Sequence, residues 1–276
     1  MAAAAALVAG CAASPVVREN PTRISYGDDP DNFGDLYLPD AGSGHPVLVM
    51  IHGGGWSEDY GLGYTGPLAE TLVGSGIAVW NIEYRRVGGR GGWPQTLSDV
   101  DAATEAVNSV VQERARGRLD TDRVHVAGHS AGGHLAAWIA GRHTLGSGAP
   151  GAEPTVLIRS ATTMAGVFDL GLAVTNGHDR YVRALLGGSP AEMPDRYRIA
   201  SPIDEVPIGL PLHAFHGDQD MTVSIEQSRR YVAAAQSAGD PATLTVLPGV
   251  GHGEFGDPSS EAWAEVRRRL RHLCAN

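Results

Sequence analysis

The run Val124-His125-Val126-Ala127-Gly128-His129-Ser130-Ala131-Gly132-Gly133 (residues 124–133) places an apolar, strand-like segment before a Gly-x-Ser-x-Gly turn and the first residues of a helix. A strand that passes into a helix through so tight a turn holds the central residue in a strained conformation, with its side chain projecting above the sheet. Glycines at 128 and 132 keep neighbouring backbone from colliding, and Gly133 extends the small-residue run where helix and sheet approach. Ser130 is therefore the candidate nucleophile. A glycine-rich turn with a solvent-facing serine is the plainer alternative, and the strand and helix on either side argue against it.

Outward from that turn, strand-like runs alternate with segments of helical period. Residues 47–51 (VLVMI) form a continuous apolar run, as expected of a strand covered on both faces in a parallel sheet. Further strands are predicted at 35–38, 77–82, 124–127, 156–158, 212–215 and 244–247. Helices are predicted at 65–74, 96–116, 131–140, 225–238 and 259–273. This alternation predicts one α/β domain over residues 23–276, with a doubly wound, mostly parallel sheet. The polar, Gly- and Pro-rich stretch 170–207 interrupts it, with one short helix at most, near 181–186. An insertion of that length reads as a short cap over a site.

With 276 residues, the chain is long enough to bury roughly three-quarters of its unfolded surface without a disulfide or metal staple. It carries 21 basic and 31 acidic residues, a formal charge of −10, which argues against a nucleic-acid or anionic-membrane surface. Every basic residue is arginine. The absence of lysine excludes Schiff-base, Ser–Lys and P-loop chemistry, each of which needs that amine. Two cysteines, Cys11 and Cys274, are too few for a disulfide framework.

A serine hydroxyl needs a base, and the base needs an orienting carboxylate. On a topology of this kind they follow the serine in the order acid, then histidine. The strand at 212–215 runs into His216-Gly217-Asp218-Gln219-Asp220, and the strand at 244–247 runs into Pro248-Gly249-Val250-Gly251-His252. Both segments lie past strand C-termini, where open α/β sheets build their sites. His252 is the candidate base, with Asp218 and Asp220 as candidate acids. His52-Gly53-Gly54-Gly55-Trp56 follows the VLVMI strand, and glycines there leave backbone N–H groups uncovered. Gly54, Gly55 and Ala131, the last at a helix N-terminus, are candidate donors to an oxyanion.

The segments HGGGW, GHSAGG, HGDQDMTV and LPGVGH, in that order, resemble the α/β-hydrolase superfamily, specifically esterases related to hormone-sensitive lipase, bacterial feruloyl and acetyl-xylan esterases and kynurenine formamidases. The resemblance covers the chain from about Gly34 onward and extends to NIEYRR (81–86), Trp93-Pro94 and GVFDL (166–170). It implies an α/β-hydrolase fold and cofactor-free acyl transfer to water. It also selects Asp220, the last Asp of H-G-x-x-D-x-x-V, over the variable Asp218. Ser224 departs from the proline often found after the valine, which leaves that assignment intact. HGGGW leans toward the esterase branch and GVFDL toward the formamidase branch. The expected reaction is hydrolysis of a small-molecule carboxylic ester with a short acyl chain, since no long apolar lid helix is apparent. Arylformamidase activity and a non-catalytic hydrolase-fold binding module are the alternatives. Trp56, Tyr60, Tyr64 and Trp93 are candidates for the substrate pocket, although aromatic residues of this kind pack in cores equally often.

Other signals carry less. Gly61-Leu62-Gly63-Tyr64-Thr65-Gly66 fits G-x-G-x-x-G, with Glu83 about 20 residues on, but its first glycine does not end a strand as a dinucleotide fingerprint requires. His125 and His129 lie on strand and turn rather than on one helix face, so no metal site is expected. His134, His213 and His216 read as packed or loop-orienting histidines. Arg85 and Arg86 could take a substrate carboxylate, or anchor loops as arginines more commonly do. Asp169 is a minor alternative to Asp220. At the N-terminus, Val8-Ala9-Gly10-Cys11 resembles a bacterial lipobox within a short leader and linker (1–22), although no basic n-region precedes it. The expectation is an extracytoplasmic lipoprotein with its signal segment read by Cys11 lipidation, and a cytoplasmic protein is the alternative.

Overall fold

The computed structural model describes residues 21–177 and 179–275. The lipobox at Cys11 lies outside them. The chain opens with β1 (Thr22–Ser25), β2 (Phe33–Tyr37) and β3 (His45–Ile51), followed by α1 (Gly66–Val73) and β4 (Ala78–Ile82). Next come α2 (Gln95–Glu105), α3 (Val110–Arg114), β5 (Leu119–His129), α4 (Ala131–Gly141) and β6 (Ile158–Met164). Three short helices make the cap: α5 (Leu170–Gly177), α6 (Arg180–Leu186) and α7 (Pro194–Ala200). The domain closes with β7 (Leu212–Gly217), α8 (Glu226–Ser237), β8 (Ala242–Leu247) and α9 (Glu261–Ala275).

The strands form one eight-stranded sheet in the order β1-β2-β4-β3-β5-β6-β7-β8. β1 pairs with β2, and β2 with β4, antiparallel; every later pairing is parallel. From β3 the chain steps out to β4, then returns past β3 to β5. Strand order therefore reverses between β3 and β5, and the connections diverge there to leave a crevice at the strand C-termini. HGGGW leaves one lip of that crevice and Ser130 the other.

Alternation along each strand sends side chains to two cores. Val47, Val49 and Ile51 of β3 join Val124 and Val126 of β5, where α2, α4 and α8 pack. Leu48 and Met50 face the other way, against Leu68 and Leu72 of α1 and Trp263, Val266 and Leu270 of α9. β3 is buried throughout, which is why its sequence is apolar without alternation.

Several boundaries differ from the sequence expectation. The helix expected over 96–116 breaks at a 3₁₀ turn, Ala106–Asn108, where the Ser109 hydroxyl donates to the Ala106 carbonyl at 3.4 Å. The strand expected at 156–158 begins where that run ends and continues to Met164. Its interior is Ser160-Ala161-Thr162-Thr163, buried but polar in sequence, so an apolar criterion misses it. The cap holds three short helices rather than one at most, since α5 contains two glycines and α7 starts on proline, both weak sequence signals. β1 lies outside the predicted strands, because an edge strand with a single buried residue, Ile24, carries little apolar pattern.

Candidate active site

Ser130 stands between β5 and α4 with φ 56° and ψ −122°, a left-handed conformation unusual for a residue with a Cβ. Its N–H donates to the Met164 carbonyl at 2.8 Å. The flanking glycines enforce the turn. A Cβ on Gly128 would stand 2.1 Å from the Gly132 carbonyl oxygen, and one on Gly132 would stand 2.1 Å from that of Ile51. Among the described residues five non-glycines have positive φ, and three of them, Trp56, Ser130 and Ala165, follow the ends of the adjacent strands β3, β5 and β6. Strain therefore gathers at the crevice, as it does at functional sites.

His252, on the turn after β8, meets Asp220 through Nδ1 to Oδ2 at 2.7 Å. The Asp220 side chain is wholly buried and that of His252 is 17% exposed. Oδ1 of Asp220 accepts from the N–H groups of Thr222 (2.8 Å) and Val223 (2.9 Å). His216 Nε2 lies 3.0 Å from the Val223 carbonyl and 3.4 Å from Asp220 Oδ2. Burial opposes the charge on Asp220, but hydrogen bonds from His216, His252 and the Val223 amide outweigh it and hold the carboxylate well below its usual range. The other candidate acids are engaged elsewhere. Asp218 accepts from the Gly249 N–H at 2.7 Å, while Asp169 takes the Leu172 N–H at 2.8 Å and pairs with Arg230 at 3.3 Å.

The HGGGW loop is held from beneath. His52 Nε2 meets Glu83 Oε1 at 2.7 Å, and its ring stacks on Tyr84 at 4.3 Å. Glu83 also accepts from the Leu62 and Tyr84 N–H groups, and Tyr84 donates to the His52 carbonyl. Glu83 thus braces this loop and binds no ribose, which accounts for the NIEYRR segment. Arg85 forks onto Asp99, and Arg86 donates to the Tyr60 carbonyl, so both arginines anchor loops. The Gly53 N–H donates to the Tyr64 hydroxyl. Among the described residues no acceptor takes the N–H of Gly54, Gly55 or Ala131.

Ser130, His252, Gly54, Gly55 and Ala131 all border one cavity of about 1090 Å³. Its outer wall comes from the cap, chiefly Leu172, Ala173 and Tyr181, and its rim includes Tyr60. Tyr60 and Tyr181 are exposed there, over Gly54 and Gly55 respectively. Of the four aromatics expected at the pocket, Trp56, Tyr60 and Tyr64 border this cavity and Trp93 does not. Trp93 is off the cavity: its N–H donates to the Leu185 carbonyl and its ring packs on the core. Trp56 borders the cavity, but its side chain is buried and its indole N–H donates to His134 Nδ1 at 3.2 Å. His134 Nε2 in turn lies 2.8 Å from the Ala200 carbonyl, so this histidine ties the HGGGW loop, α4 and cap helix α7 together. The cap is absent from its linear neighbourhood, so the sequence alone could not assign that role. His125 and His213 bond Ser160 and Thr243 inside the sheet. Among the described residues, no three His, Cys, Asp or Glu side chains gather around a point that could hold a metal.

An eight-stranded, mostly parallel sheet, with a strained serine at the strand-order reversal and an Asp–His pair beyond the last two strands, has the α/β-hydrolase fold. Within that class the chain belongs to the BD-FAE family, whose model matches residues 34–234. It is 28% identical over 243 residues to isoprenylcysteine alpha-carbonyl methylesterase ICME of Arabidopsis thaliana, covering 83% of this chain and 55% of that protein. It is 30% identical over 222 residues to esterase LipQ of Mycobacterium tuberculosis, covering 76% and 51%. The chain spans about half the length of the curated relatives it matches. Among solved structures, a truncated carbohydrate esterase from gut microbiota superposes with a TM-score of 0.80 at 23% identity, covering 93% of this chain and 98% of that one. Thermogutta terrifontis esterase 2, phosphoramylated by tabun, gives 0.74 at 23% identity, covering 93% and 94%.

Proposed function

We propose that this protein is a serine carboxylesterase acting on small-molecule esters with short acyl chains. Ser130 Oγ attacks the ester carbonyl carbon while His252 Nε2 takes the hydroxyl proton, and Asp220 orients the imidazole and stabilises its protonated form. The carbonyl oxygen, now negative, accepts from the N–H groups of Gly54, Gly55 and Ala131. Collapse of this intermediate expels the alcohol, which takes the proton from His252, and leaves an acyl group on Ser130. Water, deprotonated by His252, then attacks that acyl group, and the released acid restores the serine.

The observation that carries the reading is the 2.7 Å Asp220–His252 bond beside a strained Ser130 on a cavity with three unspent N–H donors. A binding module would have no need to keep all of these groups. Short acyl chains are favoured because the cap helices beside the cavity are short, α5 having eight residues and α6 seven. The T. terrifontis esterase 2 has been solved with butyrate bound, which is compatible with that size. Tethering outside the cytoplasm through Cys11 is part of the same proposal. Globomycin-sensitive membrane fractionation tests it, and a cytosolic protein retaining Met1 would refute it without touching the catalytic claim.

The deciding experiment labels Ser130 with an organophosphonate, read by intact mass, and compares kcat/KM for p-nitrophenyl acetate, butyrate and decanoate, methyl ferulate and N-formyl-kynurenine. Acetate or butyrate should be best. A Ser130 that stays unlabelled sinks the enzyme reading, and formyl-kynurenine turnover about a hundredfold above the best ester would move the assignment to arylformamidase.

A further inference from the structure

Behind the nucleophile runs a chain of hydrogen bonds whose every direction is forced by chemistry. His129 Nε2 lies 3.0 Å from the His252 carbonyl oxygen. A carbonyl only accepts, so Nε2 carries the proton and Nδ1 is the bare acceptor. The Tyr64 hydroxyl is 3.4 Å from that Nδ1 and donates to it. The same hydroxyl oxygen accepts from the Gly53 N–H. The order is therefore Gly53 N–H to Tyr64, Tyr64 O–H to His129, and His129 N–H to the backbone of His252.

These contacts join three loops that arrive from three different strand ends. Gly53 begins the oxyanion loop after β3, His129 is the last residue of β5 and the neighbour of Ser130, and His252 carries the base after β8. Gly53 also lies close to the nucleophile, since a Cβ built on it would be 3.0 Å from Ser130 Cβ. Tyr64, half-buried, and His129, buried, both border the cavity at this back wall, and the His129 ring sits 4.7 Å from that of His252. Burial, then the neighbouring His252, lowers the His129 pKa to about 3. It stays neutral at working pH, keeps its accepting nitrogen, and adds no positive charge beside the imidazolium that forms on His252.

We infer that Tyr64 and His129 are positioning residues that hold the oxyanion loop and the base loop in register across the back of Ser130. This rests on the serine-esterase reading. It gives Tyr64, which borders the cavity, a further role whose loss lowers kcat rather than raising KM. Displacing two catalytic loops by a fraction of an ångström loses transition-state contacts while leaving the cavity wall in place.

The test uses the full chain and p-nitrophenyl butyrate, with Tyr64→Phe, His129→Phe, His129→Gln and the double variant Tyr64→Phe/His129→Phe, each checked for an intact thermal transition. Tyr64→Phe and His129→Phe should each lower kcat by about tenfold or more with KM within about threefold. His129→Gln, with an amide donor and a carbonyl acceptor, should recover most of that loss. The double variant should cost little more than the worse single one, because both break one chain. A rise in KM at unchanged kcat, multiplicative losses in the double variant, or unaltered kinetics would each overturn the inference. If His129→Phe does not fold, Tyr64→Phe and its combination with His129→Gln still decide it: the two should then be independent only if no chain exists. Phosphonate labelling of wild-type Ser130 separates the two levels. An unreactive wild type takes down the esterase reading and this inference with it, whereas a reactive wild type with equally fast Tyr64→Phe and His129→Phe takes down the inference alone.

Discussion

Replacing Gly132 with alanine adds a single methyl group where the nucleophile helix meets the end of β3. That Cβ would lie 2.1 Å from the Ile51 carbonyl oxygen and 2.5 Å from that of His52, with the His52 carbonyl carbon at 2.7 Å. All three atoms are backbone, so no rotamer change can relieve the overlap. α4 must move away from β3 by close to 1 Å, and Ala131 and Ser130 must move with it relative to Gly54 and Gly55. Overpacking of this kind costs about 1–3 kcal/mol of stability. A misplacement of about 1 Å between nucleophile and oxyanion donors costs about a hundredfold in rate. Gly132→Ala should therefore fold, unfold at lower denaturant, and lose about two orders of magnitude in kcat/KM for p-nitrophenyl acetate. Gly74→Ala is the control: it sits in right-handed backbone after α1 with nothing within 4 Å, and should change neither quantity. Wild-type kcat/KM in a well-folded Gly132→Ala protein would refute the argument that this contact sets the geometry of the site.

Asp220→Asn should lower kcat by about three to four orders of magnitude with the fold intact, because the amide cannot hold the required imidazole tautomer, whereas Asp218→Asn, removing only a charge at the Gly249 N–H, should cost little. Burial lowers the His134 pKa from 6.5 to about 4, so its contribution to stability is fully present above pH 6.5 and is lost as pH falls toward 4, by at most about 3 kcal/mol. His134→Gln, which keeps an acceptor for Trp56 and a donor for Ala200, should flatten that acid limb in denaturation curves taken from pH 7 to 4. Glu205 is buried with neither carboxyl oxygen hydrogen-bonded among the described residues, and burial, then Asp204, raises its pKa well above 4.5. Its contribution is therefore present at low pH and is lost as pH rises through the folded-state value. Glu205→Gln should remove that alkaline decline without changing kcat, and an unchanged slope would show that Glu205 is solvated.

What the sequence determined by itself was whatever local geometry compels. VHVAGHSAGG specifies a strand, a tight turn and a helix within ten residues, because only glycine at 128 and 132 permits that approach. The fully apolar VLVMI run announces a strand buried on both faces. The order of Ser130, Asp220 and His252 was legible because each follows a strand end, and strand ends are marked by apolar runs meeting Gly-rich turns. Tertiary structure alone decided which side chains meet across those ends. Trp56 and Trp93 look alike to composition, yet one is spent on His134 and the other faces the core. Ser160 to Thr163 of β6 are polar and still buried, since neighbouring strands and His125 supply partners invisible to a hydropathy reading. Tyr64 and His129, 65 residues apart, and His129 and His252, 123 apart, became partners only when β3, β5 and β8 delivered their loops to one edge of the sheet. Periodicity reports how a residue sits on its own element, whereas the hydrogen bonds that set this site run between elements, and those distances exist only in the folded chain.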